Sequence, residues 1–355
     1  MTDRSVAAYR KAPASALSKA GAFGLRILRS DYFILYLSLL YAICAYPFVP
    51  QLFTLEVAGN IVSEMMPLLI VAIGQTFVLV VAGIDLSVTA IIGLAAVVGA
   101  SVMTQTGGYV SGPLATPAAL IAMILVGVAV GLANGAASSR LRVPSFLVTL
   151  ATRMFFAGAA VWYTTFHTTS SSIADLPAAF IALADGYIFS FSVSGQLIGL
   201  PIEVAIAAVV VVAAHLTLNH SSLGRAITAV GANPRTAMVS GIRVEHTITL
   251  AFVISGLCAA IAAMLYSSRM ETGSPITGEN ILLDVIGAVV IGGTSLFGGK
   301  GKIIWTVFGV FFLVLLDMTL KLIGASLFVI YIIKGSVILV AAAIDTLRNR
   351  IFAER

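Results

Sequence analysis

The chain alternates long apolar stretches with short polar or glycine-rich segments, a pattern that predicts membrane-spanning helices. Each stretch is close to the roughly 17–25 residues that a helix needs to cross a bilayer. Ten such spans can be drawn, and they cover residues 32–49, 57–83, 87–104, 116–138, 144–164, 200–218, 247–267, 280–295, 302–320 and 325–345. We therefore predict an all-α integral membrane protein with about ten transmembrane helices.

Lysine and arginine predict the orientation, because cytoplasmic segments of membrane proteins carry most of these residues. With the amino terminus inside, sixteen of the 20 fall on cytoplasmic segments. The sixteen are Arg4, Arg10, Lys11, Lys19, Arg26, Arg29, Arg140, Arg142, Arg225, Arg235, Arg243, Lys300, Lys302, Arg348, Arg350 and Arg355. Both termini are therefore predicted to be cytoplasmic, with residues 1–31 as a tail that lies on membrane lipid, 32–346 as the transmembrane domain and 347–355 as a second tail.

The composition excludes a soluble protein, since 59% of the residues are hydrophobic and only 10% are charged. Soluble domains carry roughly 25% charged residues. The long segment at residues 165–200 has no lysine or arginine, and we interpret it as an outside lid or docking surface.

Residues 292–302, "GGTSLFGGKGK", look at first like a phosphate-binding loop. A Walker A loop needs a glycine six positions before its lysine and a hydroxyl residue directly after it. Thr294 and Gly301 occupy those positions relative to Lys300, so the motif fails at both ends. We predict a tight cytoplasmic turn between the eighth and ninth spans instead.

No other motif indicates chemistry. The 4 histidines are scattered, and none has metal-ligand spacing with another histidine, cysteine or carboxylate. We therefore predict no catalytic residue, no metal ion, no cofactor and no nucleic-acid partner.

The second span is unusual because it is long and contains Pro67. Proline inside a helix removes a hydrogen bond and bends or breaks the helix, and transporters place polar groups near such breaks. We predict a break here that lines a pathway; a surface helix over 57–66 followed by an ordinary span is the alternative. The polar side chains predicted to line the pathway are Asn60, Glu64, Gln75, Thr76 and Asn134.

Four charged residues in the last spans need partners, because a charge at membrane depth is costly. Asp317 and Lys321 are four residues apart on one helix face, which predicts an ion pair. Lys334 has no acid nearby in the sequence, and Asp284 lies at a compatible depth in the eighth span. We predict that these two also pair.

The fourth span carries small residues at every fourth position, namely Gly127, Gly131 and Gly135. This spacing is typical of a face where two membrane helices pack closely.

The cytoplasmic loop at residues 219–246 contains the start and stop signals of a short helix. Asn233 can cap the helix, Pro234 occupies its first position, and Gly241 follows its last turn. A helix of about seven residues is unstable alone in water, so something must hold it. It either packs on the protein's own span ends or docks into a cytoplasmic partner.

Four segments together resemble one family. They are "GQTFVLVVAGIDLSVTAIIGLAAVVGA" at 74–100, "RVPSFLVTLATRMFFAGAA" at 142–160, "GRAITAVGANPRTAMVSGIRV" at 224–244 and "IGAVVIGGTSLFGGKGK" at 286–302. They resemble permease subunits of bacterial ATP-binding-cassette importers of the ribose, xylose and arabinose type, in the branched-chain amino acid/ribose permease family. The resemblance covers about residues 55–346, and Arg153 departs from it because the family more often has an uncharged residue there.

The resemblance implies a non-enzymatic inner-membrane permease that imports a monosaccharide or related polyol. It implies three partners: a cytoplasmic ATPase subunit, a periplasmic substrate-binding protein and a second permease copy, identical or different. The loop at 219–246 would then be the coupling element that seats in the ATPase. The predicted coupling residues are Gly231, Asn233, Pro234, Arg235, Met238, Val239, Ser240 and Gly241.

Two alternatives remain at this point. The same type of permease could carry a nucleoside, a furanone signal or an amino acid. An ion-driven secondary transporter would instead use Asp284 and Asp317 for coupling.

Overall fold

The structure, a computed structural model, describes residue 30, residues 32–193 and residues 196–353. The predicted tail at 1–31 lies outside the described residues except for Ser30. The described part contains thirteen α-helices and one pair of strands. The helices are α1 (Phe33–Ala45), α2 (Leu55–Val80), α3 (Val88–Met103), α4 (Ala115–Arg140), α5 (Ser145–His167), α6 (Ala178–Asp185), α7 (Ile202–His220), α8 (Ser222–Ala232), α9 (Pro234–Val239), α10 (Val244–Met270), α11 (Leu282–Gly292), α12 (Ile303–Leu322) and α13 (Leu327–Ala353).

Six helical segments are long and apolar enough to cross a membrane. They are α2, α4 with the turn before it, α5, α7, α10 and α12. Shorter apolar helices occupy three further predicted spans: α1, α3 and Leu327–Ala343 of α13. The eighth predicted span contains only α11, which has 11 residues. A largely helical membrane protein is therefore confirmed, while the count of ten spans and the cytoplasmic termini stay predictions.

The predicted break at Pro67 is wrong, because α2 runs without interruption through 26 residues. Pro67 has no N–H, so it cannot bond the carbonyl oxygen of Ser63 four residues earlier. The guanidinium of Arg269 on α10 donates to that oxygen instead, and it also pairs with Glu203 at 2.6 Å. A side chain from a neighbouring helix thus satisfies the group that the proline leaves free.

Helix α10 lies at the centre of the bundle and packs against α2, α3 and α4. The predicted close-packing face of α4 is confirmed against it. A Cβ atom added at Gly127 would lie 2.2 Å from the carbonyl oxygen of Gly256, and one added at Gly131 would lie 2.5 Å from that of Phe252. Only glycine allows the two backbones to approach this closely.

Between α6 and α7, within the segment 165–200 that we interpreted as an outside lid or docking surface, two antiparallel strands form a hairpin. They are β1 (Tyr187–Val193) and β2 (Gln196–Pro201). Because α7 leads from the hairpin to α8, the hairpin and the α8–α9 segment lie at opposite ends of the molecule. We call these the hairpin end and the loop end.

Candidate functional site

Helix α9 projects from the loop end and begins with a well-formed cap. The Asn233 side-chain oxygen accepts hydrogen bonds from the N–H groups of Arg235 (3.0 Å) and Thr236 (3.1 Å). Pro234 occupies the first helical position, and Gly241 ends the helix with a φ of +82°. The helix is six residues long, about as short as its sequence predicted.

The outer face of α9 is apolar and uncovered. Met238 is 62% exposed and Val239 is 90% exposed, whereas Ala237 is buried against the rest of the loop end. Arg235 is also exposed. Packing on the chain's own span ends therefore holds one side of α9 and leaves a small apolar and basic surface free.

Gly231, one of the predicted coupling residues, lies inside α8. An added Cβ there would lie 1.7 Å from the carbonyl oxygen of Val80 at the end of α2. The same oxygen accepts a hydrogen bond from the N–H of Gly299 at 2.8 Å. Glycine is thus required for the main chains of α8, α2 and the 292–302 turn to meet.

The 292–302 segment forms the tight turn that its glycines predicted. Gly293, Gly298 and Gly299 have φ values of +110°, +84° and +72°, which residues with a side chain rarely adopt. The N–H of Ser295 donates to the oxygen of Lys300 at 2.9 Å and closes the turn. This geometry explains the glycines without a bound phosphate.

The structure buries three of the predicted pathway residues inside the chain. Gln75, Thr76 and Asn134 are each 0% exposed. Thr76 bonds Thr306 at 2.7 Å, and Asn134 donates to Ser87 at 2.7 Å. Gln75, with its amide oriented to satisfy both groups, donates to the main-chain oxygen of Asp85 (3.1 Å) and accepts from its N–H (3.3 Å). Their role in a pathway stays a prediction.

The other two predicted pathway residues lie towards the hairpin end and are accessible. Asn60 is exposed, and the side chain of Glu64 is 38% exposed. Glu64 accepts from the ammonium of Lys321 at 2.9 Å on the rim of a cavity. This contact joins a predicted pathway residue to a residue predicted to form a structural ion pair.

The structure brings the four predicted ion-pair residues into one network. The Lys334 ammonium lies 2.6 Å from an oxygen of Asp284 and 3.0 Å from one of Asp317. Asp317 also contacts Lys321 at 2.8 Å through its other oxygen. Asp317 is therefore shared between two lysines, an arrangement that needs α11, α12 and α13 to be folded together.

No metal site is evident in the part of the chain that the structure describes, since no three histidine, cysteine or acidic side chains come together there.

Comparison with known proteins supports the resemblance seen in the sequence. Residues 57–342 match the family model of the branched-chain amino acid transport system permease component. The chain belongs to this permease family. The family match and the long apolar helices make it a multi-pass protein of the bacterial inner membrane.

Several relatives of this permease cover most of its length. The ribose import permease of Escherichia coli K12 is 34% identical over 296 residues, which are 83% of this chain and 87% of the relative. The ribose import permease of Bacillus subtilis is 35% identical, over 78% and 80% of the two chains. The xylose transport system permease of E. coli K12 is 30% identical, over 79% and 82%. No solved structure matches significantly.

Asp85, the acid with the lowest exposed fraction among the described residues, was not identified from the sequence. Asp85 lies in the non-helical segment between α2 and α3 and is 0% exposed. One oxygen accepts from the N–H (2.9 Å) and hydroxyl (2.6 Å) of Ser87, and the other accepts from the hydroxyl of Ser255 at 2.8 Å. Its signal was present in "AGIDLS", where an acid precedes a serine by two residues within an apolar region.

Arg269 was not identified from the sequence either. It lies in the last turn of α10 and pairs with the buried Glu203. It also donates to the main-chain oxygen of Ser63, which Pro67 leaves without a helical partner. Nothing in the local sequence connects these positions, because they are 66 and 206 residues apart.

Proposed function

We propose that this chain is the transmembrane permease subunit of an ATP-binding-cassette importer that moves a monosaccharide or related polyol across the inner membrane. Its membership of the permease family supports the first part. The named substrates of its relatives, ribose and xylose, support the second. The relatives are transport subunits, which is consistent with the lack of a catalytic set in the sequence.

In this proposal the loop end faces the cytoplasm and the hairpin end faces the periplasm. The distribution of lysine and arginine supports this orientation. The permease works with a cytoplasmic ATPase pair, a periplasmic binding protein and a second permease copy. The hairpin end then meets the binding protein, while ten spans and cytoplasmic termini complete the arrangement.

The uncovered face of α9 is the observation that carries the proposal. An importer of this kind needs a rigid projection that transmits ATP-driven closure of its motor to the membrane domain. Asn233 and Pro234 fix the first turn of α9, and the exposed Met238 and Val239 can fill an apolar cleft in the ATPase. Arg235 can pair with acids around that cleft.

The test uses the permease reconstituted in vesicles with its ATPase and binding protein, with ATP hydrolysis and sugar uptake measured side by side. Met238→Asp and Val239→Asp place a charge in the apolar contact, so they should abolish sugar-stimulated hydrolysis and uptake while the permease still inserts. Val239→Thr keeps the side-chain shape and is the matched control. Gly241→Val should act like the charged variants, because valine disfavours a φ of +82°. Full coupled transport in Met238→Asp would show that α9 is not the coupling element.

For the pathway we retain Asn60 and Glu64, which are accessible at the hairpin end. Gln75, Thr76 and Asn134 would meet a solute only if their helices separated, so we infer that they hold the helices in position. Alanine variants separate the two roles. Changes at Asn60 and Glu64 should lower uptake with assembly unchanged, whereas changes at the three buried sites should lower the melting temperature as well.

An ion-driven transporter is not favoured, because the family and the relatives are permease subunits and both Asp284 and Asp317 are engaged by Lys334. Uptake that needs ATP and persists when proton and sodium gradients are collapsed separates the two mechanisms.

A further inference from the structure

A cavity of about 370 Å³ opens between α2, α10, α11, α12 and α13 towards the hairpin end. This is near the lower limit of the roughly 300–1,000 Å³ of small-molecule pockets. Its wall contains three carboxylates and three cations, so their formal charges balance. These are Glu64, Asp284, Asp317, Arg269, Lys321 and Lys334.

Five of these six groups form one chain of alternating charge: Asp284, Lys334, Asp317, Lys321 and Glu64. Successive N–O distances along it are 2.6, 3.0, 2.8 and 2.9 Å. The exposed fraction of the side chain rises from 9% at Lys334 to 46% at Lys321. Asp284, Lys334 and Asp317 thus form a less exposed part of the wall (9–20%), and Lys321 and Glu64 form a more exposed part (46% and 38%).

Stability alone does not account for this network. Ion pairs removed from water gain little over well-packed apolar side chains, because the loss of hydration offsets the attraction. Charges at membrane depth in transport proteins are therefore associated with solute paths. The network also borders a space that a solute can enter, which a structural cluster does not need.

We propose that this cavity is the periplasm-facing subsite in which the permease receives an uncharged polyhydroxy solute, a monosaccharide, and that Asp317, Lys321 and Glu64 bind its hydroxyl groups. This rests on the proposed function and names the residues at which the solute is held.

The chemistry of the wall fits hydroxyl groups better than charged ones. Each hydroxyl both donates and accepts, so one sugar hydroxyl can bridge a carboxylate and an ammonium without disturbing the balance of charge. Hydrogen bonds to ionised groups are the stronger kind. A charged solute would leave one charge of the wall without a partner. Tyr266, Tyr331 and Leu68 add surface for the less polar faces of a sugar ring.

The same wall favours weak binding. A sugar must compete with ion-pair contacts that already exist, and a transport path needs a site that the solute can leave. We therefore expect dissociation constants in the millimolar range.

Thiol protection tests the subsite in the assembled complex, with Cys44 replaced by serine because it is exposed. Leu327 lines the cavity and is 58% exposed, whereas Ile323 is 57% exposed but is not part of the wall. Leu327→Cys and Ile323→Cys thus form a matched pair for labelling with a membrane-impermeant maleimide. The probe is whichever of ribose and xylose the wild-type complex transports.

The sugar should slow labelling of Leu327→Cys and leave Ile323→Cys unchanged. At ten times the dissociation constant, mass action predicts a slowing of about tenfold. Adding Asp317→Asn should remove the protection, and Glu64→Gln, at the more exposed end, should weaken it with no loss of assembly. The uncharged variant Asp317→Asn should also increase uptake of a uronic acid relative to the neutral sugar, a shift in selectivity that a structural role would not cause.

Two results would overturn the subsite. One is Leu327→Cys labelling that the sugar does not change, and the other is no labelling at all in the complex, which would mean that the cavity is closed to water. If wild-type complex still accumulates the sugar with ATP, either result leaves the proposed function standing. Absence of ATP-driven uptake of every member of a panel of monosaccharides and polyols that includes ribose and xylose would instead reject the proposed function.

Discussion

At the loop end, Asp85 is fully buried and only neutral donors reach it among the described residues, whereas at the hairpin end Asp284 and Asp317 share Lys334 on the wall of a cavity. Two serine hydroxyls and one serine N–H bind the two carboxylate oxygens of Asp85. The ionic contacts around Asp317 are open to water and to hydroxyl groups. The difference suggests that one acid fixes helices in place and the other can take part in solute binding.

The strictest test of the rigid loop end is Gly231→Val. Because a Cβ at this position would lie 1.7 Å from the carbonyl oxygen of Val80, α8 and α2 cannot keep their contact. We expect almost no monodisperse protein by size-exclusion chromatography in detergent. Gly59→Val on α2 is the control, since nothing lies within 4 Å of its added Cβ. A normal yield of Gly231→Val would mean that the contact between α8 and α2 can adjust to a side chain, and that the loop end is not rigid there.

Asp85→Ala should have the next largest effect, because it leaves one N–H and two hydroxyl groups of Ser87 and Ser255 without their acceptor. We expect a loss of about 3 kcal/mol in the free energy of unfolding, as each unsatisfied group costs on the order of 1–3 kcal/mol. Asp85→Asn retains an acceptor oxygen and should lose less than half as much. Equal losses for both variants, measured by thermal or denaturant unfolding, would show that the negative charge itself is required.

Lys334→Met should destabilise the protein less, by about 2 kcal/mol, which is below the roughly 3–5 kcal/mol for breaking a fully buried pair. Asp317 keeps Lys321 as a partner, and Asp284 can reach the cavity. The double variant Lys334→Met/Asp284→Asn removes the stranded charge and should regain part of the loss. If Lys334→Met has wild-type stability and uptake, the network contributes neither to stability nor to solute binding.

Lys321→Gln should have a smaller effect on stability, under about 1 kcal/mol, because Lys321 is 46% exposed and Asp317 keeps Lys334 as a partner. The effect on uptake should be larger than the effect on unfolding, since the side chain lines the cavity. If uptake and the free energy of unfolding both change only slightly, Lys321 does not bind the solute.

Lys300→Ala completes the comparison at the loop end, where no phosphate site is expected. Only the main-chain oxygen of Lys300 is used in its turn, in a bond from Ser295 that alanine preserves. ATP hydrolysis by the complex should stay near the wild-type rate. Binding of a nucleotide analogue to the purified permease, lost in this variant, would contradict the assignment as a turn.

Much of the fold could be predicted, because hydropathy and glycine spacing report on local requirements. The apolar runs predicted the long helices, Asn233 and Pro234 predicted the start of α9, and the Gly127–Gly131 spacing predicted the close-packing face of α4. The proline break in α2 was predicted wrongly, since a residue on another helix repairs it. The strands were not predicted, because the segment at 165–200 that contains Tyr187–Val193 was interpreted only as an outside lid or docking surface.

The candidate sites depended more on tertiary structure. The pairing of Lys334 with Asp284 followed from their depth alone, whereas the sharing of Asp317 and the contact of Lys321 with Glu64 join residues 17 and 257 positions apart. Burial of Gln75 and Asn134 could not be read from polarity, because a polar residue in a span either faces water or bonds another buried group.

The main-chain contacts between Gly231, Val80 and Gly299 determine how a movement of α9 would be transmitted to the membrane helices. The contacts there join main-chain atoms, and the N–H of Gly299 holds the last carbonyl of α2 directly. A displacement of the α8–α9 segment would therefore be transmitted to α2 directly through main-chain contacts, with no deformable side chain in between. Alanine scanning shortens side chains, so it would not disturb these main-chain contacts at any non-glycine position. Only substitution of the glycines by larger residues would show that the contacts transmit the displacement.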